Sequence, residues 1–146
     1  ATGDEYLAYL FTSIEGYSKH ASFVGNGNAD GTFVYTGFRP AWIMWKNASS
    51  SENWIVLDAE RDPHNYVENK LYPNDTFVDQ TSSNTKVDYL SNGFKIRGTE
   101  NEFNESGDTI IYLAFAEQPF ESPLVCSSHT KQASFPGSIR VHGALD

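Results

Sequence analysis

Asp58 and Glu60, two carboxylates two residues apart, form the one spacing in this 146-residue sequence that suggests paired acid–base chemistry. On an extended strand, residues i and i+2 share a face and lie about 7 Å apart. That separation falls in the range glycoside hydrolysis requires of its two carboxyl groups. The simpler reading of the same residues is an ion pair at a strand end, with Arg61 or Arg39 as the cation. A second pattern, Asn26, Asn28 and Asp30 followed by Gly31, alternates like the opening of a calcium loop. Residues 32–38 contain no acidic residue to close such a loop. A turn that uses Asn and Gly for left-handed backbone is the simpler account. Asp62, Asn65, Asn74, Asp75 and Asp79 make a looser second group. No cofactor is expected, and calcium is the one ion for which the sequence offers ligands.

The aromatic residues raise a different chemistry, stacking on a sugar. All three tryptophans, Trp42, Trp45 and Trp54, fall within residues 36–60. Alternation puts Trp42, Met44 and Lys46 on one face of a strand, and Ala41, Ile43 and Trp45 on the other. In the next strand Trp54, Val56 and Asp58 oppose Ile55 and Leu57. Both strands are therefore apolar on both faces near their centres. One face fills a core, and the other needs cover from loops, a neighbouring subunit or a ligand. Core packing is expected for at least two of the three tryptophans. For a ligand, the expected contact set is Trp42 and Trp54, with Asp58, Glu60 and Arg61 at the strand end and a loop rim carrying Tyr66, Tyr72 and Phe77.

Other chemistries find less support. There is no Gly-x-Ser-x-Gly, and the single cysteine, Cys126, rules out an intramolecular disulfide or a multi-cysteine zinc site; it reads as a small buried apolar side chain. His20, His64, His129 and His142 are scattered. The formal charge of −9, with ten dispersed basic residues, argues against nucleic acid. No run of about eighteen apolar residues is present to enter a membrane. Sequons at Asn47, Asn74 and Asn104 carry little weight, because polar β proteins produce them by chance.

The elements that must position these residues alternate with period two. Expected strands are Tyr6–Phe11, Ala21–Val24, Thr32–Tyr35, Ala41–Lys46, Asn53–Asp58, Val87–Leu90, Gly93–Arg97 and Thr109–Ala116, separated by Gly, Asn, Asp and Pro turn signals. Asn92-Gly93 predicts a type I′ hairpin turn, with Phe94 and Ile96 facing inward and Lys95 and Arg97 outward. Residues 60–86 read as long loops with one short strand near Leu71–Tyr72. The chain is expected to be all-β, an antiparallel sandwich or barrel. Residues 1–120 form its domain, and 121–146 an extension that is an edge strand or a linker. Tyr6-Leu-Ala-Tyr9 and Tyr112-Leu-Ala-Phe115 nearly repeat. They read either as coincidence or as the mark of a tandem array from which this piece was cut.

Three longer runs resemble a known module. Gly25–Trp42, Tyr89–Arg97 and Ile111–Phe120 are similar to a recurrent module of bacteriophage tail and virion structural proteins, often repeated within one chain. The resemblance covers roughly residues 6–120. It implies a lectin-like (concanavalin A-like) jelly-roll sandwich and carries no catalytic residues to transfer. The expected protein is then a non-enzymatic structural or host-recognition module of a tail fibre or particle surface. Its partners would be other virion proteins or a host surface glycan, in a homo-oligomer, with a trimer favoured. Its place would be the virion, or otherwise the extracellular space. The rival readings are a free carbohydrate-binding lectin and, third, a glycan hydrolase.

Overall fold

The computed structural model describes residues 3, 5, 7–81 and 84–119. Cys126, His129, His142, Tyr6 and the expected extension over residues 121–146 lie outside the described residues. Among the described residues nine strands follow in chain order: β1 Ser18–Val24, β2 Phe33–Tyr35, β3 Pro40–Asn47, β4 Trp54–Asp58, β5 Asn69–Lys70, β6 Gln80–Thr81, β7 Val87–Leu90, β8 Gly93–Ile96 and β9 Thr109–Ala116. One short helical turn, α1 Asn101–Asn104, precedes β9. The alternating pattern of the sequence thus becomes an all-β structure whose ladders are antiparallel. Among the described residues no helix is long and apolar enough to cross a membrane.

The strands form a four-stranded sheet of order β1-β9-β3-β4, a three-stranded sheet β2-β8-β7, and the small pair β5-β6. Period-two burial explains the layering. From β3, Ile43, Trp45 and Asn47 point inward; opposite them on β9 stand Ala114, Tyr112 and Ile110. From the smaller sheet, Val34, Val87, Tyr89, Phe94 and Ile96 enter the same core. Phe94 is its centre, with the rings of Phe23, Trp45 and Tyr112 at centroid distances of 5.9, 6.2 and 5.3 Å. Edge-on and tilted contacts of this kind each add about 0.5–1.5 kcal/mol beyond the area they bury.

Residues 67–71 close one side of the two sheets. Val67 pairs with Val87 on the edge of the small sheet, and Leu71 with Val56 on the edge of the large one. The segment expected to be loop is therefore a strap between sheet edges, with β5 just before the expected Leu71–Tyr72 position.

Two local expectations are corrected. The β7–β8 hairpin pairs Leu90 with Gly93, so Ser91 and Asn92 form the loop and Gly93 is the first residue of β8. Gly93 is not in the left-handed region. A Cβ there would sit 2.1 Å from the Val34 carbonyl oxygen of β2, so close strand approach is what requires glycine. The N-terminal run is the second correction: residues 7–11 form no strand, and their large side chains are exposed. Apolar alternation gave them a strand pattern, but no edge of either sheet takes them up.

Buried amides hold the loop ends. Asn104 donates to the carbonyls of Asn28 and Gly98, each at 2.8 Å, and accepts from the Asn26 N–H at 3.0 Å. Asn47 donates to the Asn101 carbonyl and to Asp108, and accepts from the Ser49 N–H. Both residues are fully buried, so two of the three sequons have no accessible acceptor in the folded chain. Asn104→Ala would remove the partner of the Asn26 N–H and of the Asn28 and Gly98 carbonyls, the last of these buried. We expect a loss of about 3 kcal/mol, read as a lowered urea midpoint with an unchanged m-value; a midpoint unchanged from wild type would mean this clamp is not built.

Candidate functional site

The register of the large sheet fixes its outer face. Trp42, Met44 and Lys46 of β3 stand opposite Phe115, Leu113 and Ile111 of β9 on one side, and opposite Asp58, Val56 and Trp54 of β4 on the other. His20 of β1 pairs with Leu113, and Leu71 lies beyond Val56, so a row of side chains crosses the whole sheet. Trp42, Met44, Trp54, Leu113 and Phe115 are half-buried, while Ile111 and Leu71 are more than a third exposed. This face is apolar on the two central strands, where a solvated sheet would alternate to polar. It is the surface whose cover the sequence left open.

Trp42 and Trp54 do share this face, as alternation suggests. They stand at opposite ends of the paired strands, roughly 13 Å apart along the strand direction. Trp42 lies against Phe115, with ring centroids 5.6 Å apart. Trp45 alone of the three is fully buried, against Phe103 at 5.1 Å. The expectation that at least two tryptophans fill the core is therefore corrected, because pairing turns Trp54 to the outer side with Lys46.

The candidate carboxylates do not form a dyad. Asp58 ends β4, and its Oδ1 accepts the Glu60 N–H at 2.8 Å, which makes a tight turn and leaves the Glu60 side chain exposed. Asp58 Oδ2 stands 3.7 Å from Arg61 Nε. Arg61 continues to Asp79 at 2.8 Å and to the Asn69 carbonyl at 3.1 Å, pinning the strand end to the strap. Arg39 pairs with Glu117 at 3.0 Å. The ion-pair reading of Asp58 with Arg61 describes this corner.

The aromatic rim does not assemble either. Tyr72 belongs to the core, edge-on to Phe77 at 5.6 Å, with its hydroxyl 3.4 Å from Gln80 Oε1. Tyr66 is exposed but sits by the small sheet, with Lys86 Nζ 5.4 Å from its ring centroid. Asn65, its neighbour, exchanges two hydrogen bonds with the Tyr89 backbone on β7. Side-chain alternation carries no information about which sheet a loop residue joins, and here the strap divides the two tyrosines.

The candidate calcium ligands are consumed by their own loop. Asn26 Oδ1 accepts from the Asn28 N–H, and Asn28 Oδ1 from the Asp30 N–H. The Asp30 carboxylate pairs with Lys95 at 2.7 Å and Arg97 at 3.4 Å. The Lys95 hydrogen bond holds the Asp30 carboxyl below its ordinary value. Asp62, from the second group, accepts from the Glu68 and Asn69 N–H groups. Among the described residues no group of three or more His, Cys, Asp and Glu side chains is arranged to hold a metal ion.

Sequence reasoning missed a buried ionic knot. Lys70 Nζ contacts Glu100 and lies 2.6 Å from Glu102, and Thr85 Oγ1 donates to Glu100 at 2.9 Å. The two carboxylates hold the Lys70 ammonium protonated well beyond its ordinary range, against the cost of burying it. Burial raises the Glu102 carboxyl above its ordinary value despite the lysine. Glu100 and Glu102 around a polar Asn101 gave no local signal, and their cation arrives from 30 residues away. The knot ties the strap to α1; its chemistry is structural.

A family model described as a domain of unknown function, DUF7483, matches residues 1–119. The chain belongs to that family. No curated protein and no solved structure matches it. The DUF7483 match takes in both sheets, the knot and the exposed N-terminal run, so the apolar outer face lies wholly within the family's own domain.

Proposed function

We propose that this chain is a non-catalytic structural and host-recognition module of a bacteriophage particle, a lectin-like jelly-roll sandwich that works by surface contact. The phage setting, the jelly-roll topology and the virion location rest on the sequence resemblance of the three runs within residues 25–120. The observation that carries the contact role is the outer face of the large sheet, apolar across its central strands β3 and β9 and half-exposed. Such a face gains by docking on another apolar surface. Sugar recognition asks in addition for free polar groups around the aromatic rings. Here Asp58 is engaged by Glu60 and Arg61, and Asn74 by Trp54 and Asn53. The occupant of the sheet face is therefore protein, and host glycan contact falls to the loops.

Titration of host polysaccharides against intrinsic fluorescence tests this reading, since Trp42 and Trp54 both report from the face. No saturable change is the expected result; saturable quenching lost in Trp42→Ala or Trp54→Ala would replace it with the lectin. The hydrolase has its own check. Asp58→Asn and Glu60→Gln should leave polysaccharide product release at the blank level, as in the unsubstituted protein. Reducing sugar released by the wild type and lost in either variant would revive a catalytic role.

A further inference from the structure

We infer that the outer face of the large sheet receives residues 7–11 from a second copy of this chain. This rests on the contact reading above and names the partner. Leu7, Tyr9, Leu10 and Phe11 are 79, 74, 94 and 62% exposed, a cluster of bare apolar side chains on a segment without secondary structure. Their own copy holds the segment only at its C-terminal end. Phe11 stacks on His20 at 5.6 Å, and Ser13 Oγ accepts the His20 N–H at 2.9 Å, beside the β1 edge. Phe11 thereby touches the β1 end of its own face, while residues 7–10 are exposed throughout.

The segment and the face suit each other in area, charge and pattern. At about 150–250 Å² for each aromatic side chain and somewhat less for leucine, the four residues offer on the order of 600 Å². Added to the receiving face each copy also presents, this reaches the roughly 800 Å² per partner of a standard interface. Asp4 and Glu5 precede the segment, and the first basic residue of the chain is Lys19. On the face, Lys46 bonds only the carbonyls of Asn47 and Ser50, and it has no ion pair among the described residues. The exposed Glu5 of one copy thus meets an ammonium of the other. Tyr6-Leu-Ala-Tyr9 also repeats the Tyr112-Leu-Ala-Phe115 of β9, which presents Leu113 and Phe115 on this same face. Segment and face are different surfaces, so the contact passes from copy to copy and closes as a dimer or a trimer.

Sedimentation equilibrium of the 146-residue protein from about 1 to 200 µM tests the inference at the concentrations where an interface of this size associates. A reversible dimer or trimer is expected. Leu10→Glu, on the segment and outside the core, should weaken association at least tenfold; Ile111→Glu, on the face, should do the same. A photo-reactive residue at position 10, in a mixture of isotopically light and heavy chains, should yield light–heavy cross-links into peptides of β3 or β9. A monomer throughout the range overturns the inference, as do cross-links confined to one chain, or association insensitive to Leu10→Glu. These outcomes leave the polysaccharide titration to decide the contact reading separately.

Discussion

Replacing Lys70 with methionine should destabilise the protein by about 3–5 kcal/mol at neutral pH, because two part-buried carboxylates lose their common cation. Thr85 would remain with Glu100, and Tyr72 and Glu100 beside Glu102, but none of them carries a positive charge. The pH dependence carries the sign. Burial already raises the Glu102 carboxyl above its ordinary 4.5, so the folded state binds its proton more tightly than the unfolded chain does. Stability from such a group is complete below the unfolded value and is lost as pH rises through the folded one. Without Lys70 the Glu102 carboxyl moves further up. The variant should therefore come closest to wild type near pH 4 and fall progressively behind toward pH 7. In the wild type, Lys70 is raised from 10.5, so its contribution is whole below that pH and declines above it. Urea midpoints of both proteins between pH 4 and 8 give the answer, and a pH-independent difference would show that the knot carries no net electrostatic weight.

Trp45→Ala should cost about 3–5 kcal/mol, as truncation of a buried aromatic does, whereas Trp42→Ala should cost well under half of that. The two residues are three apart on one strand and differ in the face they occupy. Trp45 is enclosed by Phe94 and Phe103, so its removal leaves a cavity that β3 and β9, locked by ladder hydrogen bonds, cannot fill. Trp42 leans on Phe115 with solvent on its other side. Urea unfolding of the two variants measures the contrast. Equal losses would contradict the assignment of inner and outer faces, on which the candidate site depends.

Strands were legible in the sequence wherever one face is buried. β3, β4, β7, β8 and β9 fall within a residue or so of their expected bounds, because a two-residue period leaves little freedom of register. Faces were legible too: Phe94 and Ile96 point in, Lys95 and Arg97 out. Residues 7–11 failed because the pattern reports a strand's capacity to be half-buried and not the presence of a partner edge. Tyr66 and Tyr72 failed for a related reason, since which sheet a loop joins is decided by long-range pairing. The Lys70 knot and the Asn104 clamp were invisible, because buried polar networks are assembled from segments whose local composition reads as loop. Trp42 and Trp54 on a common face were the part of the candidate site that alternation did reveal.

Hydroxyl-radical footprinting of Trp42, Met44 and Trp54, in the dispersed chain and in the proposed assembly, reads directly whether the outer sheet face is a contact surface. All three should be oxidised when the chain is dispersed and protected on assembly, and host polysaccharide should protect none of them. Equal oxidation in both states, with protection by polysaccharide, would contradict it.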